Sequence, residues 1–385
     1  MLLIKNGYIK TMAGEDIKNG YVLIGDDGKI IEVGEGVPGA CADTIIDAEG
    51  RLVTPGLVEA HCHIGYYGGP GASLNEFTDP LTPQLRAIDG LNPADENFPL
   101  AVKGGVTTVC TGPGSTNIIG GTFAAIKTVG HRIDDMIVKH PLAMKCAFGE
   151  NPAKCYGDDQ KKAPRTRMAA AAMLREFLFK TKFYLEAKEA GKSPAFDMKL
   201  EAMIPVIKGE LPLKVHAHSA HDIFTIIRIA KEFNLKITLD HCTDGALIAE
   251  DLAKEGYSCF IGPSFGMKTK KELNNKTFQT AAALHKVGVP VSIITDHDVT
   301  PIQYLAMFAG FAVSSGLPYE EGWRAVTANP AKQVGIGDRV GSLEAGKDGD
   351  VVIWGDDPLR IIGAEAHTTI INGKIAYTVE NQKAN

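Results

Sequence analysis

Apolar positions change their spacing twice along the chain. Up to residue 54 they alternate or cluster in short runs, Leu2–Ile4, Tyr8–Lys10, Tyr21–Ile24 and Ile30–Val33, separated by turns such as Gly25-Asp26-Asp27-Gly28. That pattern reads as β-strands. The same style returns near the other end, in Asp350–Trp354 and Thr368–Ile371, with Asn372-Gly373 as a hairpin turn before Lys374–Tyr377. Neither end has enough strands to bury a core alone. Segments 1–54 and 336–385 are therefore expected to pair as one small β-sandwich, which requires the chain ends to meet.

Between them the pattern becomes strand–helix alternation, the mark of parallel α/β architecture. From Leu213 onward, strands are predicted at Lys214–Ala217, Lys236–Leu239, Ser258–Ile261 and Val291–Thr295. Helices follow at Asp222–Phe233, Asp244–Glu255, Lys276–Val287 and Pro301–Ser314. Leu57–Ala60, Thr107–Thr111 and Ala143–Phe148 supply earlier strands, and a further one is placed within Thr122–Ile126. Residues 55–335 thus predict an α/β fold, a (β/α)8 TIM-like barrel, which typically takes ~250 residues. Arg165–Ala190 reads as a long helix whose Lys and Arg residues form a solvated face.

Composition narrows the function. The chain is 44% hydrophobic and 22% charged, with 40 basic against 46 acidic residues and a net charge of −6. That balance disfavours nucleic acid or an anionic membrane as a partner, because both call for a basic surface. The run Leu2–Ile4 ends at Lys5-Asn6-Gly7, far short of a signal-peptide core. No stretch reaches the ~18 apolar residues of a membrane span. The seven cysteines are scattered without a CxxC pair, which predicts reduced thiols in a cytoplasmic protein.

The chemistry is concentrated at strand ends. Thr54-Pro55-Gly56-Leu57-Val58-Glu59-Ala60-His61-Cys62-His63 ends a strand-like run with two histidines one residue apart. Alternate side chains share a face, so His61 and His63 point together and can hold one divalent ion, with Zn–N distances near ~2.0 Å. Later strands end in His216-Ala217-His218, in Asp240-His241 and in Asp296-His297. Four strands bringing His, His, His and Asp to the C-terminal ends, where barrel active sites assemble, predict a metal centre. Bound metal makes water acidic enough to act as hydroxide, and Asp296 is the candidate to take its proton and pass it on. Gly112-Pro113-Gly114-Ser115 reads as a tight turn, since a bare GxG is no phosphate loop.

These motifs together resemble the amidohydrolase superfamily, in particular its imidazolonepropionase-like and peptidase-like branch. The resemblance covers nearly the whole chain. It includes Ile46-Asp47-Ala48-Glu49-Gly50 before the His61–His63 run, Asn329-Pro330-Ala331-Lys332 after the last barrel helix, and Val340–Asp350 beyond it. It implies that His61, His63 and Asp296 bind the more buried metal, and that His216 and His241 bind a second or serve a single-metal site. His218 is then expected on the opposite face of the strand or in the following loop, with His221 and His297 in supporting or structural roles.

Two-metal members supply a bridging carboxylated lysine or a glutamate after strand four, and here Met144–Pro152 offers both Lys145 and Glu150. A barrel-facing lysine is costly to bury unless paired or modified, while Glu150 is the simpler ligand, and both stay open at this point. The single-metal relatives place a glutamate three residues beyond the strand-five histidine; Ser219 stands there instead, which argues against their reaction. The resemblance thus implies a metal-dependent amidohydrolase, with zinc as the expected metal and one or two ions per chain, that cleaves a C–N bond of a small molecule. A homo-oligomeric assembly is expected with it. The alternatives are a heterocycle deaminase and a catalytically silent scaffold.

Overall fold

The computed structural model describes residues 1–36, 38–39, 41–66 and 73–379. In chain order the strands are β1 (Leu2–Ile9), β2 (Ile17–Ile24), β3 (Ile30–Glu35), β4 (Thr44–Asp47) and β5 (Leu52–Pro55). Then come β6 (Leu57–Cys62), β7 (Val106–Thr111), β8 (Ile119–Lys127), β9 (Ile137–Ala147), β10 (Leu213–Ala217), β11 (Ile237–His241), β12 (Cys259–Ile261) and β13 (Val291–Ile293). The last three are β14 (Val351–Trp354), β15 (Ala366–Ile371) and β16 (Lys374–Thr378).

The two chain ends meet in one eight-stranded sheet, ordered β16-β15-β14-β5-β1-β2-β3, with β4 beside β1. The join is the antiparallel pair β14–β5, which sets Val351 opposite Pro55 and Ile353 opposite Val53. Apolar residues of both ends, among them Ile4, Ile9, Val22, Ile24, Val53, Val351, Ile353 and Ile370, form a common buried cluster.

The other eight strands, β6 to β13 in sequence order, make a nearly closed α/β barrel. From β9 onward each neighbour is parallel, and helices lie between them, such as Ala220–Phe233 between β10 and β11. That half follows the alternation read from the sequence. The early half departs from it: β8 runs antiparallel to both β7 and β9, so the barrel is mixed rather than all-parallel. The cause is connection length. Residues 112–118 join β7 to β8, and residues 128–136 join β8 to β9. Both are too short for a parallel crossover, which needs about a dozen residues or more.

The segment expected at Thr122–Ile126 is therefore a strand, but one that enters the barrel from the mouth. The long helix is Arg167–Glu189. Its Arg167 pairs with Asp222 at 2.9 Å, and Arg165 is exposed near Asp158. All seven cysteines are free, and only Cys41 is exposed. Among the described residues no helix is long and apolar enough to cross a membrane.

Barrel and end sheet are tied by a buried charge cluster. The Lys127 ammonium at the end of β8 lies 2.5 Å from Asp350 and 2.9 Å from Asp348. Asp348 also receives Lys29 and Arg339. Burial alone would raise the Asp348 carboxyl, but the Lys127 charge and the hydrogen bonds from Lys29, Lys127 and Arg339 hold it at about 2.

Breaking a buried pair strands its partner, which costs about 3–5 kcal/mol. Lys127→Met should therefore lower the melting temperature by several degrees, measured by calorimetry near neutral pH. Asp348 has its acidity increased by folding, so it contributes stability that is complete above its unfolded value of 3.8. That stability is lost as pH falls toward about 2. A pH series of melts should show this acid-side loss shrinking in Asp348→Asn.

Candidate metal centre at the barrel mouth

Each functional side chain sits at the C-terminal end of a barrel strand, or just past it. His61 and His63 leave β6 on one face, as their spacing requires, with ring centroids 5.1 Å apart. His216 and His218 leave β10 in the same way, 4.6 Å apart. His218 lies just past β10, one of the two places expected for it, and its ring joins those of His216 and His241. The extended backbone continues past Ala217, so positions two apart keep the same face.

His241 ends β11. Its left-handed backbone, φ 72°, turns its ring toward the barrel axis although Asp240 beside it also points inward. Such a conformation costs about 1–3 kcal/mol in a residue with a side chain. Asp296 lies beyond β13, also left-handed at φ 51°.

The result is two donor groups, His61, His63 and Asp296 in one, and His216, His218 and His241 in the other. Within each, the ligand atoms lie within 4.8 Å of one another. The groups adjoin through His61 and His241, whose rings are 5.2 Å apart. Asp296 Oδ1 is 3.2 Å from His63 Nε2 and 3.4 Å from His61 Nε2.

The surroundings decide which ring nitrogens are free. His63 Nδ1 lies 2.8 Å from the Gly112 carbonyl, and His241 Nδ1 lies 2.8 Å from the Gly262 carbonyl. A carbonyl can only accept, so Nδ1 carries the proton in both and Nε2 presents its lone pair to the site. Both carbonyls come from glycines because nothing larger fits. A Cβ on Gly112 would sit 2.2 Å from the Phe123 ring, and one on Gly262 would sit 2.3 Å from the Ile294 carbonyl oxygen. His61 Nδ1 is 2.9 Å from Asp240 Oδ2, which turns its Nε2 toward Asp296 and Lys145. His241 Nε2 and His216 Nδ1 are buried with no protein partner. Buried polar atoms normally have one, so these orphaned nitrogens fit a divalent ion.

Burial keeps the imidazoles neutral. Desolvation lowers the basicity of His61, His216 and His218, and takes His241 down to about 3. Neutral rings are the metal-binding form. Burial would raise the Asp296 carboxyl, but the imidazoles gathered around it, His241 first and then His61 and His63, hold it well below the usual carboxylate range.

The structure separates the two candidates for the bridge. Lys145 on β9 is fully buried, with Nζ 3.3 Å from His61 Nε2 and 4.0 Å from Asp240 Oδ2. Desolvation lowers its amine to about 8 despite the charges of Asp240 and Asp296. Glu150 is not brought to the imidazoles. Its carboxylate accepts from the Glu272 backbone N–H at 3.1 Å, and its own N–H donates to Glu272 Oε2 at 2.9 Å. A short side chain one turn past the strand is taken up by the neighbouring loop. Ser219, where a glutamate was sought, is buried and precedes the helix Ala220–Phe233. His221 is exposed beside Asp222, and the backbone carbonyl of His297 accepts from His63 N.

Three acidic or basic groups at the site escaped the sequence reading. Asp240 holds His61 and pairs with the buried Lys214 at 2.8 Å. The alternation that puts His216 inside also puts Lys214 inside, and this was the available signal for the pair. Glu272 comes from the loop after β12 and places a buried carboxylate oxygen 4.0 Å from His218 Nε2. Nothing in its local pattern marks it.

Comparison with known proteins agrees with this geometry. The Amidohydrolase family profile matches residues 52–376. The crystal structure of an amidohydrolase from Thermotoga maritima MSB8 superposes with a TM-score of 0.93 and 37% identity, covering 98% of this chain and 100% of that one. The amidohydrolase tasK of Hapsidospora irregularis is 28% identical over 85% of this chain, which spans only 36% of that protein. An imidazolonepropionase of Bacillus velezensis is 27% identical over 85% of this chain and 81% of its own length. The chain therefore belongs to the amidohydrolase family, hydrolases that act on carbon–nitrogen bonds.

Proposed function

We propose that the chain hydrolyses an amide or cyclic amide of a small molecule with the help of divalent metal, zinc, which the residues of the two donor groups would hold. The observation that carries this reading is the pairing of His61, His63 and Asp296 with His216, His218 and His241 around one mouth. Lys145 reaches in between them from below. A bound ion supplies acidification of water and polarisation of the substrate carbonyl.

The protein residues do the rest. Asp296, kept ionised, accepts a proton from the attacking water and returns it to the leaving nitrogen. Gly112, Gly262 and Asp240 hold the rings of His63, His241 and His61 in fixed orientations. Lys145, in a carboxylated form, would be the residue that helps the two donor groups hold the metal. Its neutral amine bonds to the carbon of carbon dioxide and loses a proton, leaving a carbamate anion that replaces an unfavourable buried ammonium. Ser219, in place of a glutamate, favours amide hydrolysis over deamination.

The same reading assigns residues 55–335 to the catalytic barrel, and 1–54 with 336–385 to a β-sandwich whose core is the apolar cluster shared by both ends. Free, mostly buried thiols support a cytoplasmic setting. A homo-oligomer is part of the proposal.

Metal analysis of protein grown with zinc and without chelator should give about two ions per chain. Lys145→Ala should lower that count, and Glu150→Ala should leave it unchanged. About one ion per chain, indifferent to both substitutions, would overturn the two-metal reading, and none after reconstitution would overturn metal dependence itself.

Asp240→Asn replaces an acceptor of His61 and leaves Lys214 unpaired. Its zinc affinity, titrated against a competing chelator, should fall about 10- to 100-fold. Unchanged affinity would show that Asp240 is an ion-pair partner of Lys214 only.

A further inference from the structure

Above the imidazoles lies a cavity of about 460 Å³, into which His63, His216, His218 and Asp296 face from below. The charges on its walls are unequally matched. Lys270 lies 3.2 Å from Glu272 Oε1 and 2.7 Å from Asn151 Oδ1, so its charge is compensated. Asp296 is surrounded by His61, His63 and His241.

Lys276 differs. It is half-buried, its ammonium donates to the Phe265 backbone carbonyl at 3.2 Å, and no carboxylate lies within ion-pair distance of it among the described residues. Burial and the charges of Lys270 and Lys268 work against its protonation, while Asp296 favours it. Lys276 lines the same cavity as His63, His216, His218 and Asp296, so it faces the mouth rather than the outer surface. A half-buried cation with no carboxylate in direct contact is costly, and the cost is recovered when an anion enters.

The walls are mixed, with Asn75, Thr116 and Asn151 among the polar residues and a group of apolar ones beside them. Leu74, Phe265, Met267, Leu273 and Val299 line the same cavity, and Phe265, Met267 and Val299 remain more than half exposed at 51%, 82% and 60%. Exposed apolar side chains around a binding mouth mark where a ligand's apolar part rests.

We propose that Lys276 is the specificity residue of this site, and that it selects amide substrates carrying one carboxylate next to an apolar group. N-acyl derivatives of apolar amino acids, and dipeptides ending in one, have this chemistry. A single ammonium with apolar neighbours suits a singly charged carboxylate. A phosphate would call for an arginine fork or several backbone N–H groups. The inference rests on the amide-hydrolysing reading of the site, whose scissile carbonyl lies over the imidazoles while the carboxylate reaches Lys276.

The test uses zinc-loaded protein and two readouts. Titration calorimetry compares 4-phenylbutyrate with its neutral amide. Steady-state kinetics compare N-acetyl-leucine with N-acetyl-leucinamide. Charge-assisted hydrogen bonding predicts an acid preference of about tenfold to a hundredfold in both readouts.

Lys276→Met should abolish that preference and leave binding of the neutral amide unchanged. Lys276→Arg should retain it, and so should Lys268→Met on the outer rim. Equal binding of acid and amide by the unmodified protein would overturn the proposal, as would an acid preference that survives Lys276→Met. Acid-selective binding that depends on Lys276, without hydrolysis of either substrate, would support the subsite and count against the amide-hydrolysing reading alone.

Discussion

The site depends on how the barrel closes. Among the described residues β13 and β6 share no hydrogen-bonded ladder, and a buried carboxylate spans the gap together with the bond from His63 N to the His297 carbonyl. Glu59 accepts from the His61 backbone N–H at 3.0 Å through one oxygen. Through the other it accepts from Thr295 N at 2.8 Å and Thr295 Oγ1 at 2.7 Å. Burial raises this carboxyl to about 7, against the lowering effect of those same hydrogen bonds. Residues 325–326 close the seam lower down, where Val58 N donates to Val326 O and Ile293 N to Ala325 O. The backbones of His61 and Thr295 are thus held to one acceptor, and the side chains of His61 and Asp296 are brought within 3.4 Å. Without the seam, the first donor group would be two halves from opposite ends of the barrel sequence.

The same closure explains why the interior is so polar beneath the imidazoles. Glu59, Lys145, Lys214 and Asp240 are all buried there. Lys214 lies 3.9 Å over the Phe260 ring, and Lys145 lies 5.5 Å from the Phe123 ring. Charges this deep are tolerated only in pairs or against aromatic faces. Asp240 serves both needs, since one oxygen meets Lys214 and the other orients His61. The layer that supports the barrel therefore also orients a candidate ligand.

Much of this was legible from periodicity. Alternation along β6 and β10 puts His61 with His63 and His216 with His218, and the same rule, followed two residues back, puts Glu59 and Lys214 on those inward faces. What alternation cannot show is a change of direction. The antiparallel course of β8 lies in the brevity of residues 112–118 rather than in any apolar pattern, and the inward turn of His241 lies in a left-handed backbone. Glu272 and Lys276 were out of reach for another reason. They sit on a loop after β12, residues 268–276, where no strand or helix period fixes which side chains face inward. Only the fold shows that part of that loop faces inward over the mouth.

That loop also accounts for the different fates of Glu150 and Lys145. Glu150 and Glu272 exchange backbone and carboxylate hydrogen bonds, which fastens the end of β9 to the loop after β12. The exchange removes Glu150 from the imidazoles and at the same time fixes Glu272 beside Lys270, whose charge it matches. One short acidic side chain, by binding a loop instead of the centre, leaves Lys145 as the group beside His61 and keeps Glu272 beside Lys270 rather than Lys276. The chemistry below the mouth and the selectivity above it thus follow from the same local competition for hydrogen bonds.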